Sequence, residues 1–376
     1  MAKSVYAIAS NIVSSLGMDI AAHWQAVAME KIGIKKFEDI SLSNTPFQAS
    51  KIGVAEWQYI DAHTKISQTL FPFEQLALFS ARQALQDCEE LNLSDTVLIL
   101  STTKGNIELL GQIPDERLLL HASAHIIAKE LGISSKQIVI SHACVSGIVA
   151  LLYGLRLLQA GRYKHAIVIG CDRFSRFVLS GFQSFQAISE TPCKPFDKNR
   201  SGISLGEAAA TIILSSSSFE NSLAEIISGS TSNDANHISG PSRTGEELAL
   251  AIKRALGEAN LSSAEIDMIS AHGTATAYND EMEAKAFDIL GLNKKPIHSF
   301  KGYVGHTLGA AGVVESAMVI ESLKHQQLIP SAGFQKMGVS VPLNISTSMS
   351  AANIKYALKT ASGFGGSNAA VIWKRI

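Results

Sequence analysis

Short apolar runs of strand length alternate along this chain with longer segments whose apolar positions recur at helical spacing. "TVLILST" (96–102) reads as a buried strand, "HASAHIIAKELG" (121–132) as an amphipathic helix and "QIVISHA" (137–143) as a second strand. The period changes at Val145, after which the apolar positions predict a helix over 145–160. "HAIVIGCD" (165–172) and "AAATIILS" (208–215) are strand-like. The opening segment "MAKSVYAIASNIVSSLG" reads as a first strand rather than a signal peptide, because polar residues interrupt its apolar stretch. The serine-rich "SSSSFENS" (215–222) is the best linker candidate. Beyond it the alternation resumes: "LAEIISGS" (223–230) as strand, "GEELALAIKRALGEANL" (245–261) as helix and "IDMISAHG" (266–273) as strand. "DEMEAKAFDILGL" (280–292) then reads as helix, "PIHSFKG" (296–302) as strand, 309–324 as helix and "AAVIWKRI" (369–376) as a closing strand. Such alternation predicts α/β layers with helices covering largely buried sheets.

A chain of 376 residues exceeds most single cores, so two packed halves are expected, 1–216 and 217–376. The halves echo each other, each holding a strand, a polar elbow and a long apolar helix. The first elbow carries Cys144; the second, in "GYVGHTLGAAGVVESAMVIESL", carries His306. A pseudo-twofold relating the halves would turn both elbows towards one central site. The net charge of −1 points to neither a nucleic-acid groove nor a basic membrane face, and no apolar run is long enough to span a bilayer. The four cysteines have no CxxC spacing, which favours reduced thiols and a cytoplasmic location.

Candidate chemistry concentrates at the ends of these elements. Cys144 sits between a strand and a helix, where the positive helix terminus favours a thiolate. The competing reading is a small apolar residue filling a core gap. Cys88, within a helix, and Cys171, at a strand end, fit that second reading, and Cys193 in "TPCKPFD" reads as a loop thiol. His272 ends a strand in "ISAHGTATAYNDEMEA", and His306 stands among glycines and alanines before a helix. His121 and His125 have the spacing of a metal pair. They lack both the carboxylate of an HExxH pattern and a third ligand, so solvated or structural roles are expected, with no metal site. "SGFGGSN" (362–368) lacks the Lys-Ser/Thr ending of a phosphate loop and instead suits close approach of backbone to a reacting group.

Taken in order, "HACVSG", "AHGTATAYNDEMEA", "KGYVGHTLGAAGVVE" and "SGFGGSN" resemble the β-ketoacyl-acyl-carrier-protein synthases, in the two-histidine, elongating class of the thiolase superfamily. "CKPFDKNRSGISLGEAAA", "STSNDANHISGPS" and the early "IVSSLG" are similar to further family segments, so the resemblance covers nearly the whole chain. It implies a thiolase-like α/β fold, a duplicated five-layered α-β-α-β-α arrangement with mixed sheets. It also implies decarboxylative condensation of an acyl thioester with malonyl-carrier protein, without a cofactor. In the family pattern Cys144 carries the acyl group, His272 and His306 stabilise the carbanion, and Lys301 and Glu315 order the histidines. The backbone N–H groups of Cys144 and Phe364 match the oxyanion hole. Thr274 and Thr276 match hydroxyls that bind the pantetheine arm, and Phe364 the aromatic gate. The implied partner is an acyl carrier protein, and family members are normally dimers; a homodimer is expected, with a heterodimer with a related subunit also open.

Several positions depart from the pattern. Asn279 replaces the glycine usual before Asp280, Ser362 replaces an aromatic, His142 is uncommon beside the cysteine, and the segment between Cys144 and His272 is short. These features lean towards an accessory polyene- or polyketide-type pathway over housekeeping fatty-acid elongation. A degradative thiolase would carry a second cysteine near "SGFGGSN", and an initiating synthase would pair the cysteine with one histidine and an asparagine. A non-elongating, chain-length-factor-like partner subunit is the alternative from another class, and it would typically lack the cysteine.

Overall fold

Ten strands are hydrogen-bonded side by side, five from each half of the chain, and the two sets repeat one another. The computed structural model of the protein describes residues 3–64, 70–88, 91–235 and 240–376. In chain order the first set is Tyr6–Val13, Thr96–Ser101, Ile138–Ile140, His165–Asp172 and Ala208–Ser215. The second is Ala224–Asn233, Met268–Ser270, Ile297–His298, Tyr356–Gly363 and Ser367–Lys374. In both, the spatial order is third, second, fourth, fifth, first. The third, second and fourth strands run parallel, and the remaining pairings are antiparallel. The sets join where Tyr6 and Ala7 pair with Glu225 and Ala224.

Two helices lie between the sheets, Ser146–Gln159 and Ala311–His325. Every residue from Ala311 to Leu323 is buried, as a helix sandwiched between apolar layers requires. Outside the first set pack Pro72–Gln86 and Leu120–Glu130; outside the second pack Glu246–Ala259 and Ala277–Ile289. The result is the five-layered, thiolase-like arrangement. The inner helices touch at their N-terminal ends, where a Cβ on Gly147 would lie 2.7 Å from the Gly312 Cα. Only residues without a side chain allow that approach, and it brings the two elbows together.

Some boundaries differ from the sequence reading. The strand before Cys144 ends at Ile140, because the chain must turn before the helix. In "PIHSFKG" only Ile297–His298 is extended, and Lys301–Val304 closes a helical turn. The strand Tyr356–Gly363 was not anticipated, since "YALKTASG" is poor in β-branched residues. Cys88 falls just beyond its helix, which ends at Gln86. Residues 1–2 of the opening segment and 236–239 of "STSNDANHISGPS" lie outside the described residues. No helix among the described residues is long and apolar enough to cross a membrane.

Candidate active site

Ala143 adopts φ 45°, a left-handed turn that swings the chain from strand to helix and leaves Cys144 at the bend. Ser146 fixes the turn: its Oγ donates to the Ala143 carbonyl at 2.6 Å and accepts the His142 N–H at 2.7 Å. The His142 ring reaches the Ser367 hydroxyl at 2.6 Å, tying the elbow to the C-terminal hairpin. That hairpin turns through Gly365 and Gly366, both at positive φ, so "SGFGGSN" connects two strands and presents its backbone to the thiol. The Phe364 N–H points at the Cys144 sulfur.

The second half supplies both histidines. His272 follows the strand Met268–Ser270, with its backbone N–H held by Glu283 Oε1 at 2.8 Å. His306 precedes the second inner helix, and its Nε2 lies 3.0 Å from Cys144 Sγ. The two imidazoles meet edge to face with centroids 5.3 Å apart. One donor atom from each of Cys144, His272 and His306 falls within 4.8 Å of the others. All three residues are buried.

Donor-only partners fix both tautomers. The Lys301 ammonium donates to His272 Nδ1 at 3.1 Å, and the Leu308 N–H donates to His306 Nδ1 at 3.2 Å. Each ring therefore carries its proton on Nε2. Lys301 is itself held by Glu315 Oε1 at 2.6 Å and donates to the His272 carbonyl at 2.6 Å. Burial, and then the Lys301 charge, hold both imidazoles well below the ordinary histidine pKa, so they stay neutral.

Cys144 departs from the expected helix-activated thiolate. Burial pushes its thiol up to about 11, outweighing the opposing pull of Lys301, Lys104 and the Phe364 N–H. The resting sulfur is thus protonated and receives hydrogen bonds that will stabilise negative charge once it forms. Cys171 is buried in its strand, as read. Cys193 lies in a loop, as read, and is buried there, its Sγ donating to the Lys301 carbonyl at 3.1 Å.

A cavity of about 530 Å³ opens onto the thiol, lined by Cys144, Phe182, Thr274, Thr276, Asn279 and Phe364 among others. The Thr274 and Thr276 hydroxyls lie 2.9 Å apart on its wall. Phe364 packs tilted against Phe182 and edge-on against Phe185, with centroids at 5.8 and 5.6 Å. Two departures from the family pattern are tied down. Ser362 donates to Asn368 Oδ1 at 2.7 Å, and Asn279 Nδ2 donates to Glu283 Oε2 at 3.0 Å. His121 and His125 are exposed on their helix, and no cluster of metal-ligating groups among the described residues includes them.

Three charged residues around this centre went unremarked in the sequence. Glu283 anchors the N–H groups of both His272 and Gly273. Asp172 accepts from Thr102, Thr103 and the Gly309 N–H, bridging the first sheet to the His306 elbow. Lys359 lies beneath His272 and contacts Glu315. Glu283, three residues past Asp280 in "NDEMEA", was at helical spacing from that position; for the other two the sequence offered no signal.

This arrangement provides a buried thiol, two neutral N–H donors converging on it and a channel to solvent. The profile of the family described as "Beta-ketoacyl synthase, N-terminal domain" matches residues 2–220, and that of its C-terminal domain matches 223–335. A Vibrio cholerae protein named 3-oxoacyl-[acyl-carrier-protein] synthase 2 is 26% identical, covering 97% of each chain. A Schizosaccharomyces pombe protein named a putative mitochondrial 3-oxoacyl-[acyl-carrier-protein] synthase is 25% identical, covering 96% of this chain and 97% of its own. Among solved structures, "The ishigamide ketosynthase/chain length factor" superposes with a TM-score of 0.89 at 24% identity, over the full length of both chains. With the duplicated fold, the paired elbows and a family match spanning most of its length, the chain belongs to the beta-ketoacyl synthase family.

Proposed function

We propose that the protein is a β-ketoacyl-carrier-protein synthase that joins an acyl thioester to malonyl-carrier protein with loss of carbon dioxide. The observation that carries this reading is the pair of Nε2–H donors, on His272 and His306, facing the cavity beside Cys144. In the first half-reaction the Cys144 sulfur attacks the acyl carbonyl. The oxyanion is received by the N–H groups of Cys144 and Phe364, and the departing pantetheine sulfur takes up the thiol proton. In the second, the malonyl thioester oxygen lies between the two imidazoles while its carboxylate carbon–carbon bond breaks. Two neutral donors stabilise the resulting enolate without protonating its carbon. The carbanion then attacks the Cys144 thioester; the carbon–sulfur bond breaks, and the released thiolate takes a proton from solvent reaching the site through the channel. Lys301 and Glu315 position the histidines, Thr274 and Thr276 bind the pantetheine arm, and Phe364 gates the channel.

The partner in this reading is a carrier protein bearing acyl and malonyl groups on phosphopantetheine, in fatty-acid or polyketide- and polyene-type synthesis. The halves 1–216 and 217–376 act as one catalytic body in a cytoplasmic homodimer, or in a heterodimer with a related subunit. The thiol and both histidines, present together, favour a condensing subunit over a non-elongating partner. Intact-mass analysis after incubation with acyl-carrier thioesters tests it. One acyl group is expected on the native protein and none on Cys144→Ala, and acylation of that variant overturns the reading.

A further inference from the structure

Beneath His272 lies a charged group that the reaction scheme above leaves unused. Lys359 is completely buried, on the strand Tyr356–Gly363 beside the strand that ends at His272. Its ammonium donates to the carbonyls of Ser270 at 3.2 Å, Ala271 at 3.3 Å and Thr360, so its three protons are all engaged. The Nζ also stands 2.6 Å from Glu315 Oε2. The pair is a buried, hydrogen-bonded ion pair. Glu315 is thus bracketed by two buried ammoniums, Lys301 on Oε1 and Lys359 on Oε2, both 2.6 Å away. Two buried carboxylates, Glu315 and Glu283, oppose the two ammoniums, and Lys359 loses basicity to burial while both carboxylates favour its charged form. Removing one member of such a buried set is costly.

We propose that Lys359 is a second positioning cation of the catalytic centre, which keeps His272 a neutral hydrogen-bond donor and clamps the strand leading to it against the strand leading to Phe364. This rests on the reading of His272 as a neutral donor. The charged and titratable groups around that ring come from several elements. Lys301 contacts it from the helical turn after Phe300, and Glu315 lies behind Lys301 on the inner helix. Glu283 holds its backbone N–H from the outer helix, and His306 meets its face from the opposite elbow. Asp280 holds the N–H of Thr274, two residues on. Lys359 lies under the strand, within reach of the carbonyls preceding His272. Burial and Lys301 are the larger causes of the histidine's low basicity, and Lys359 adds to them in the same direction.

The sign follows directly. A neighbouring cation disfavours imidazolium, so its removal makes His272 protonate at higher pH. Histidine-selective ¹⁵N NMR reads this without reference to turnover, with the His272 signal identified by its loss in His272→Gln. The native protein is expected to show His272 as the neutral Nε2–H tautomer at pH 6. In Lys359→Met the titration should move to higher pH. Lys359→Gln keeps an amide donor for the strand carbonyls while removing the charge, and should move it similarly. In Lys359→Met/Glu315→Gln both charges are gone and the titration should return towards the native position. The acid limb of malonyl-carrier decarboxylation should follow the same order. An unmoved His272 titration in the charge-removing variants overturns the proposal, as does a native His272 that is already protonated at pH 6, a test that requires no variant to fold. Native protein that shows a neutral His272 but does not decarboxylate malonyl-carrier protein would instead refute the condensing function.

Discussion

Gly147 and Gly312 meet backbone to backbone where the two inner helices approach. A Cβ on Gly312 would stand 2.4 Å from the Ile148 nitrogen and 2.8 Å from the Gly147 carbonyl carbon. Neither neighbour is a side-chain tip that can rotate away, so an added methyl must push one helix off the other. Cys144 precedes the first helix and His306 the second, so the same displacement separates sulfur from imidazole. Gly312→Ala is expected to destabilise the protein by about 1–3 kcal/mol, the usual cost of overpacking. It should slow acylation of Cys144 even at temperatures where the fold is intact. Urea unfolding and single-turnover mass spectrometry check the two effects separately, and native acylation in a folded Gly312→Ala would contradict the link.

The protonated resting thiol has a kinetic signature. With the Cys144 thiol pushed up to about 11, its thiolate is a minor species at neutral pH and grows as pH rises. Alkylation by iodoacetamide should therefore accelerate by about tenfold per unit from pH 7 to pH 9, tracking thiolate population. Quenched mass spectrometry with peptide mapping to Cys144 gives the rate. A pH-independent rate over that interval would mean a thiolate already formed at neutrality.

Substituting the nucleophile should split the reaction. Cys144→Gln removes the sulfur and leaves a neutral amide near the acyl carbonyl position. The expected products from malonyl-carrier protein are carbon dioxide and acetyl-carrier protein, with no condensation product. Adding His306→Ala should then lower carbon dioxide release by about a hundredfold, the scale of losing one oxyanion donor. Release that is indifferent to His306, or condensation without the thiol, would refute the division of roles.

Phe364, proposed above as the gate, has aromatic contacts with Phe182 and Phe185. Its side chain is removable without emptying the core, since the residue is 37% exposed. Phe364→Ala should retain the fold and change the relative rates for short and long acyl-carrier substrates. Competition between two chain lengths, followed by mass, measures the change, and an unaltered ratio would assign the gate elsewhere.

The sequence made the candidate site residues more legible than the groups that support them. Cys144, His272, His306, Lys301 and Glu315 all stand in motifs with a distinctive order, and the structure brings them together. The same motifs did not reveal that the helix terminus fails to ionise Cys144, because desolvation depends on what covers the thiol. Lys359 was hidden for a related reason. A lone lysine in "YALKTASG" looks like a solvent-facing position, and its burial is made tolerable by groups far away in sequence, Glu315 and the Ser270 and Ala271 carbonyls among them. Asp172 likewise gains meaning from Gly309, across the sheet interface. The alternation of elements predicted layers, but pairing order is set by contacts between distant strands, which a local period does not encode. "PIHSFKG" misled because its apolar residues fit a strand, whereas Lys301 must turn to reach Glu315.

The repeated strand order makes the chain, in effect, two partners of a complex written into one polypeptide. The first contributes Cys144, and the second contributes His272 and His306. The mostly exposed segment 216–222 that joins them crosses no part of the site. Its service is effective concentration rather than shape. Cutting there would leave recognition between the inner helices to reunite the fragments, and catalysis would become second order in protein.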